Sequence, residues 1–250
     1  MAMAARLLLS VLVVLQLASC MLQGAEAVTF TFINSCKFTV WVGLQPNGGL
    51  PLLADGGFQV LQGAQHAVTA PVGWGGRFWG RTGCVFDATG KGTCETGDCG
   101  GVLKCNGAGG TPPASLAEIT LNGANNDDFY DVSLVDGYNL PIAMTPLGGT
   151  GNCGAPGCVS NLNHNCPSAL QLMAAGAVVG CKSACVTFGA PQYCCTGAYG
   201  APTTCPPTQY SLPFKAACPT AYSYAYDDAT STFTCQAPSY AITFCPAGSS

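Results

Sequence analysis

What this chain can fold into is limited first by its thiols. It carries 17 cysteines in 250 residues. The odd one, Cys20, lies in a segment that reads as a secretory leader. Arg6 precedes the apolar stretch Leu7–Leu17, broken by Ser10 and Gln16, and small residues follow up to an A-x-A site at Ala25-Glu26-Ala27. Leu17-Ala18-Ser19-Cys20 also fits the short box that precedes a lipidated bacterial cysteine, but the A-x-A site downstream fits equally well. Removal of residues 1–27 takes Cys20 away, makes Val28 the first residue and leaves 16 cysteines, an even number. An exported chain with that many thiols oxidises them, so the expectation is eight disulfides. Zinc at close pairs such as Cys94/Cys99 and Cys181/Cys185 is the alternative. Two histidines, His66 and His164, and an oxidising destination argue against it, and neither a metal nor a cofactor is expected.

Charge excludes further classes. Only 8% of side chains are charged, yet no run beyond the leader is long enough to span a bilayer, so no transmembrane segment is expected. Without Arg6 and Glu26 the formal charge stays at −4, and the only remaining arginines are Arg77 and Arg81. A nucleic acid or anionic membrane would find no basic patch.

Period-two patterning marks the strands. Val28–Ile33 alternates apolar and β-branched residues, and Phe38–Val42 repeats the pattern after Asn34-Ser35-Cys36, which reads as a β-hairpin. Further strands are expected at residues 76–79, 115–121, 128–133 and 240–244, separated by Gly and Pro clusters. Many short strands between turn signals argue a sandwich or barrel. Residues 153–218 differ, with nine of the 16 cysteines and little alternation. Two short helices are predicted there. One covers Cys181–Phe188, where Cys181 and Cys185 would share a face. The other runs from Pro207 to about Cys218-Pro219. Ala169–Gly180, an apolar run of 12 residues broken by Gln171, is expected to be a buried helix or strand.

From Gly90 to Cys105 the chain reads Gly-Lys-Gly-Thr-Cys-Glu-Thr-Gly-Asp-Cys-Gly-Gly-Val-Leu-Lys-Cys. This resembles the signature of the thaumatin-like (pathogenesis-related group 5) family. Phe78–Cys84, Pro113–Glu118, Phe129–Asn139, Asp227–Cys235 and Ile242–Pro246 carry the same resemblance, which covers essentially residues 28–246 and is loosest between Lys37 and Val72. Taken by itself the signature describes a tight cross-linked turn, with Asp98 satisfying nearby backbone N–H groups and no nucleophile beside a base.

The resemblance implies a mainly β fold: a flattened antiparallel two-sheet sandwich core, a cysteine-rich lobe with short helices, and a small disulfide loop region. The expected boundaries are about 28–81, 117–157 and 219–250 for the core, 82–116 for the loop region and 158–218 for the lobe. It also implies the pairing Cys36–Cys245, Cys84–Cys94, Cys99–Cys105, Cys153–Cys235, Cys158–Cys218, Cys166–Cys181, Cys185–Cys194 and Cys195–Cys205. Resistance to heat, acid and proteases would follow. Between sandwich and lobe the family has a cleft lined by one arginine and four carboxylates. The matching positions are taken as Arg81, Glu118, Asp131, Asp136 and Asp227, with Asp228 adjacent to the last.

By resemblance the chain is a secreted plant-type defence protein, extracellular in the apoplast or cell wall and monomeric. Its cleft is expected to bind β-1,3-glucan or another fungal surface component. A weak endo-β-1,3-glucanase is the alternative, with Glu118 and Asp136 as the acid pair that glycoside cleavage requires. A protein inhibitor of pathogen enzymes is a third class, while the acidic charge fits poorly with the basic surfaces of the family's sweet members. His66 and His164 sit in Gln- and Asn-rich loops with no matched catalytic partner.

Overall fold

The structure is a computed structural model that describes residues 27–249. The expected leader lies outside the described residues apart from Ala27. Two sheets face each other. The larger has six strands in the order β13 (Phe233–Cys235), β9 (Asp128–Ser133), β8 (Leu116–Thr120), β5 (Gly75–Arg81), β2 (Val40–Pro46) and β3 (Gly57–Val60). The smaller has four, β10 (Ile142–Leu147), β14 (Ser239–Phe244), β1 (Val28–Asn34) and β4 (Gln65–Ala70). Pairing is antiparallel throughout these two sheets, except that β1 runs parallel to β14. Two small ribbons complete the β structure: β6 (Val85–Phe86) with β7 (Gly92–Thr93), and β11 (Gln171–Ala174) with β12 (Ala177–Cys181).

The expected hairpin does not form. Val28–Asn34 and Val40–Pro46 lie in different sheets, facing one another across the core. The reason is that both runs have an apolar face to bury. Phe30 and Phe32 of β1 and Val40, Val42 and Leu44 of β2 are all fully buried, and facing positions in opposite sheets bury both sets at once. Asn34 turns the corner. Its Nδ2 donates to the carbonyls of Phe38 and Val60, both at 2.9 Å, and its Oδ1 accepts from the Cys36 amide. Phe78 of β5 fills the centre, with ring centroids 4.8 Å from Phe30, 5.1 Å from Phe32 and 5.4 Å from Trp74. Each fully buried ring contributes roughly 1.5–3 kcal/mol. The Tyr240 hydroxyl donates to the buried Asp128 carboxylate at 2.6 Å, joining the two sheets through a polar contact.

The lobe holds α1 (Ala184–Phe188), α2 (Pro191–Cys194) and α3 (Leu212–Ala217), and α4 (Asp228–Ser231) follows it. Both predicted helices are shorter than expected. Cys181 ends β12, exchanging backbone hydrogen bonds with Tyr138, and α1 begins only after Ser183, whose Oγ accepts from the Val186 amide. Cys181 and Cys185 therefore share no helical face. The second helix starts at Leu212 rather than at Pro207. Thr208–Ser211 closes as a turn first, with the Ser211 amide donating to the Thr208 carbonyl and Ser211 Oγ accepting from the Thr208 amide, so Pro213 takes the first-turn position. In Ala169–Gly180 the strand reading holds from Gln171 onward, as the hairpin of β11 and β12, but burial does not extend along it: Leu170 is buried and most of the hairpin is not. Ala175 and Gly176 both adopt positive φ at its two-residue turn, and Met173 is 52% exposed.

Eight disulfides are present among the described residues. One, Cys36–Cys245, closes the chain over 209 residues, and Cys153–Cys235 and Cys158–Cys218 tie the lobe and its approach to the sandwich. Local loops are closed by Cys84–Cys94, Cys99–Cys105, Cys166–Cys181, Cys185–Cys194 and Cys195–Cys205. Among the described residues no helix is long and apolar enough to cross a membrane.

With every cysteine from Cys36 onward bridged, the protein lacking residues 1–27 should have the same intact mass before and after alkylation without reductant. A single adduct would contradict the eight-bridge framework.

Candidate functional site

Alternation along β5 puts Arg77, Trp79 and Arg81 on the face of the larger sheet that points away from the core, since Phe78 and Gly80 point inward. Residues 82–116 cover one end of that face. Trp79 is fully buried there against Cys99, Cys105, Ala114 and Leu116, and its Nε1 donates to the Gly97 carbonyl at 2.8 Å. Its ring lies so close to Gly43 that a Cβ there would fall 2.2 Å from the indole. Gly97 itself has φ +68°, a conformation that favours glycine. Asp98 Oδ2 accepts from the amides of Gly100 and Gly101, the local role expected of it.

Arg81 lies under the same cover. It is fully buried, and its guanidinium donates to the carbonyls of Trp41, Val42, Val102 and Leu103 and to Cys99 Sγ, at 2.6–3.2 Å. Burial pushes its pKa down to about 10, with Asp98 opposing the shift. Arg81 therefore clamps the loop region to β2 and is not part of the carboxylate cluster.

The cation of that cluster is Arg77. The registers place Arg77 opposite Glu118 and Glu118 opposite Asp131, one row across β5, β8 and β9. Arg77 Nε stands 3.4 Å from Glu118 Oε1. Beyond β9 a turn closed by the Gly137 amide on the Leu134 carbonyl brings Asp136 to the same side. Tyr222 and Ala225, just after the lobe, add to the lining, with Tyr222 running alongside the end of β9. Tyr222 is held by hydrogen bonds between its backbone and Val132 and Leu134. Together with Ser133 and Val135 these residues line an open cleft of about 340 Å³.

Asp227 is also displaced from the expected cluster. It pairs with Lys215 at 2.9 Å and accepts from the Ser223 amide and hydroxyl, bracing the segment that carries Tyr222. Asp228 is the acid whose charge reaches Asp131, and it accepts a hydrogen bond from the Tyr222 hydroxyl at 2.9 Å. Of the five expected residues the structure thus brings together Glu118, Asp131 and Asp136. Arg77, Ser133 and Tyr222 were missed, while Asp228 is the neighbour left open as the alternative to Asp227; neither of these two lines the cleft itself. Strand alternation already put Arg77 and Arg81 on one face, but nothing local to Tyr222 announces its place.

Electrostatics divides the carboxyls. Burial, then the Glu118 charge, pushes Asp131 up to about 8, against the pull of Arg77. Its Oδ1 is buried and accepts no hydrogen bond, which suits a protonated carboxyl. Burial also raises Glu118, with Arg77 pulling the other way and Asp136 adding to the rise. Of the two acids in the row, Asp131 is the one held protonated at neutral pH. His66 and His164 are exposed and lie outside the cleft. Among the described residues no group of three or more His, Cys, Asp or Glu could hold a metal ion.

The sequence profile described as "Thaumatin family" matches residues 34–246. The chain belongs to the thaumatin family. Pathogenesis-related protein 5 of Arabidopsis thaliana is 60% identical over 220 residues, covering 88% of this chain and 91% of that protein. Pathogenesis-related thaumatin-like protein 3.5 of Cryptomeria japonica is 58% identical over 222 residues, covering 89% and 91%. A protein of Prunus avium named glucan endo-1,3-beta-glucosidase is 54% identical over 226 residues, covering 89% and 92%. This thaumatin-family chain is thus similar along most of its length to proteins named for pathogenesis and, in one case, for glucan cleavage.

The two arginines should separate in a denaturation experiment. Arg81→Gln leaves several buried carbonyls unpaired and should lose on the order of 3 kcal/mol or more, nearly equally from about pH 5 to pH 8. Arg77→Gln removes a partly exposed pair and should lose under about 1 kcal/mol, less at low pH where Glu118 is protonated. Equal losses for the two would contradict the assignment.

Asp131 gives a second test. Its folded pKa lies above the unfolded value of 3.8. The stability it contributes is therefore fully present below about pH 4 and lost as pH rises through about 8. Asp131→Asn should be close to neutral at about pH 4 and should stabilise above about pH 8 by on the order of 2 kcal/mol. No gain at alkaline pH would mean that Asp131 ionises normally.

Proposed function

We propose that this chain is a secreted defence protein that binds β-1,3-glucan of fungal walls in its acidic cleft. One observation carries the reading: Arg77, Glu118 and Asp131 form a row across three strands, beside Asp136, in an open groove. Arg77 offers only donors and an ionised carboxylate only acceptors, while a protonated carboxyl offers both. Sugar hydroxyls also donate and accept, so a row of this kind meets successive hydroxyls without leaving a polar group unpaired. The pathogenesis-related names of two relatives favour a defence role. The expected leader and the eight disulfides favour the extracellular space.

A second reading, a weak endo-β-1,3-glucanase, is favoured by the raised proton affinities of Glu118 and Asp131 and by the name of the Prunus avium relative. Glycoside cleavage needs one carboxyl that carries a proton and one that does not. Asp131 joins Glu118 and Asp136 as a candidate for the proton donor. The open groove and its several acids serve binding without chemistry equally well, so binding is the primary reading.

Retention of the oxidised protein on insoluble β-1,3-glucan, beside cellulose and chitin, tests the proposal. Selective retention is expected, weakened about fivefold or more by Glu118→Gln with Asp136→Asn, as for the loss of charged hydrogen bonds. Equal retention on all three polymers, or none, overturns it, and no retention favours an inhibitor of pathogen enzymes. Release of reducing ends from laminarin by the wild type but not by Glu118→Gln, Asp131→Asn or Asp136→Asn would establish the enzyme. The same trace from all four would mark contamination.

A further inference from the structure

A larger concavity, about 630 Å³, opens elsewhere on the molecule and shares no lining residue with the acidic cleft. It lies where three parts of the chain converge: the β1–β2 corner closed by Cys36–Cys245, the start of the loop region at Thr82 and Gly83, and the lobe at Asn161, Asn163 and Val179. Its size falls within the range of small-ligand sites.

The walls differ in chemistry. One carries Phe38, a large apolar ring left 46% exposed, and Trp41, which is half-buried. The other carries amides. Asn161 is fixed by accepting from the Tyr138 hydroxyl and the Asn163 amide. Asn163 donates its Nδ2 to the Asn139 carbonyl, while its Oδ1 is buried and accepts no hydrogen bond. An orphaned acceptor of this kind carries a desolvation cost in the free protein. That acceptor is enclosed, so a ligand hydroxyl reaches it only when the Asn163 amide turns toward the concavity and gives up its bond to Asn139. Lys37 and Glu95 are the two charged residues of the lining, one of each sign, so the site selects for no net charge.

We infer that this concavity is a second saccharide site, taking a neutral pyranose chain whose C–H face lies on Phe38 and Trp41 and whose hydroxyls meet Asn161 and Asn163. Aromatic rings offer a flat apolar face at little entropic cost, and side-chain amides pair with hydroxyls in either sense. A chain that also engages the acidic cleft would then be held at two places. The second contact forms at the high effective concentration that linkage provides, so retention on a polymer would exceed what either site gives alone.

Tryptophan reports this site selectively. Trp74 and Trp79 are fully buried, so acrylamide quenching reads mainly Trp41. Titration of the oxidised wild-type protein with laminarihexaose, cellohexaose and chitotetraose should protect Trp41 with at least one of the three, and the arms identify the sugar. Phe38→Ala should weaken that protection about fivefold, the worth of one ring contact or one hydrogen bond, and Asn163→Ala by a similar factor. Phe38 is exposed enough for its replacement to leave the fold intact, so the test survives if Asn163→Ala unfolds. Glu118→Gln should leave the Trp41 titration unchanged, which separates this site from the acidic cleft whatever the outcome there. Absence of protection by all three sugars overturns the inference, as does protection that survives Phe38→Ala or vanishes in Glu118→Gln.

Discussion

The bridge between Cys158 and Cys218 fixes where the lobe ends, and the cleft depends on it. Only three residues lie between Cys218 and Tyr222, which pairs beside β9 and lines the cleft with Glu118 and Asp131. The lobe could not hold that position by itself. Its helices have four to six residues, well below the dozen or so at which a helix becomes even marginally stable in water. It places few large apolar side chains in the core, among them Leu162, Leu170 and Phe214. Covalent closure supplies what burial does not. A bridge of this kind acts chiefly on the unfolded chain, typically by about 2–4 kcal/mol, and here it also fixes the start of the segment that carries Tyr222.

The same outward face of the larger sheet shows how cover decides a residue's role. Arg77 and Arg81 differ by four positions on one strand and by everything in their surroundings. The Cys99–Cys105 loop folds over Arg81, removes it from water and gives its guanidinium backbone carbonyls in place of carboxylates. A buried guanidinium without such acceptors would be strongly destabilising. Here the loop and the arginine therefore stabilise each other. Arg77, beyond the edge of that cover, keeps its side chain in the groove and meets Glu118.

This marks the limit of what the chain discloses when read as a string. Strands β5, β8, β9 and β14 were legible because period-two alternation is local, whereas the cleft acids came from the family resemblance and their alignment in one row from the register between strands. The separation of β1 and β2 into different sheets was not legible, since alternation identifies a buried face but not the sheet that buries it. β1 pairs with β4 and with β14, the latter more than 200 residues later. Arg81 was preferred to Arg77, and Asp227 to Asp228, for the same reason. Each choice turns on a contact from a distant segment: the Val102 and Leu103 carbonyls for Arg81, and Lys215 for Asp227. In the lobe, helical spacing between Cys181 and Cys185 was real but irrelevant, because Cys181 is captured by Tyr138 in a ladder.

The electrostatic state of the cleft follows from these placements. Two carboxyls directly opposite one another on neighbouring strands repel if both are ionised. One arginine cannot neutralise both, and it stands opposite Glu118 rather than Asp131. The proton therefore settles on the member farther from the cation, which is Asp131, and the Asp228 charge behind it reinforces that choice. The groove then faces solvent at neutral pH with fewer uncompensated charges than its residue types suggest. Arg77 stands at one end of the row and the protonated Asp131 at the other, and both can donate. The proposed sugar binding rests on that order along one strand-crossing row more than on the count of acids, since a cation would have to displace the Asp131 proton and compete with Arg77.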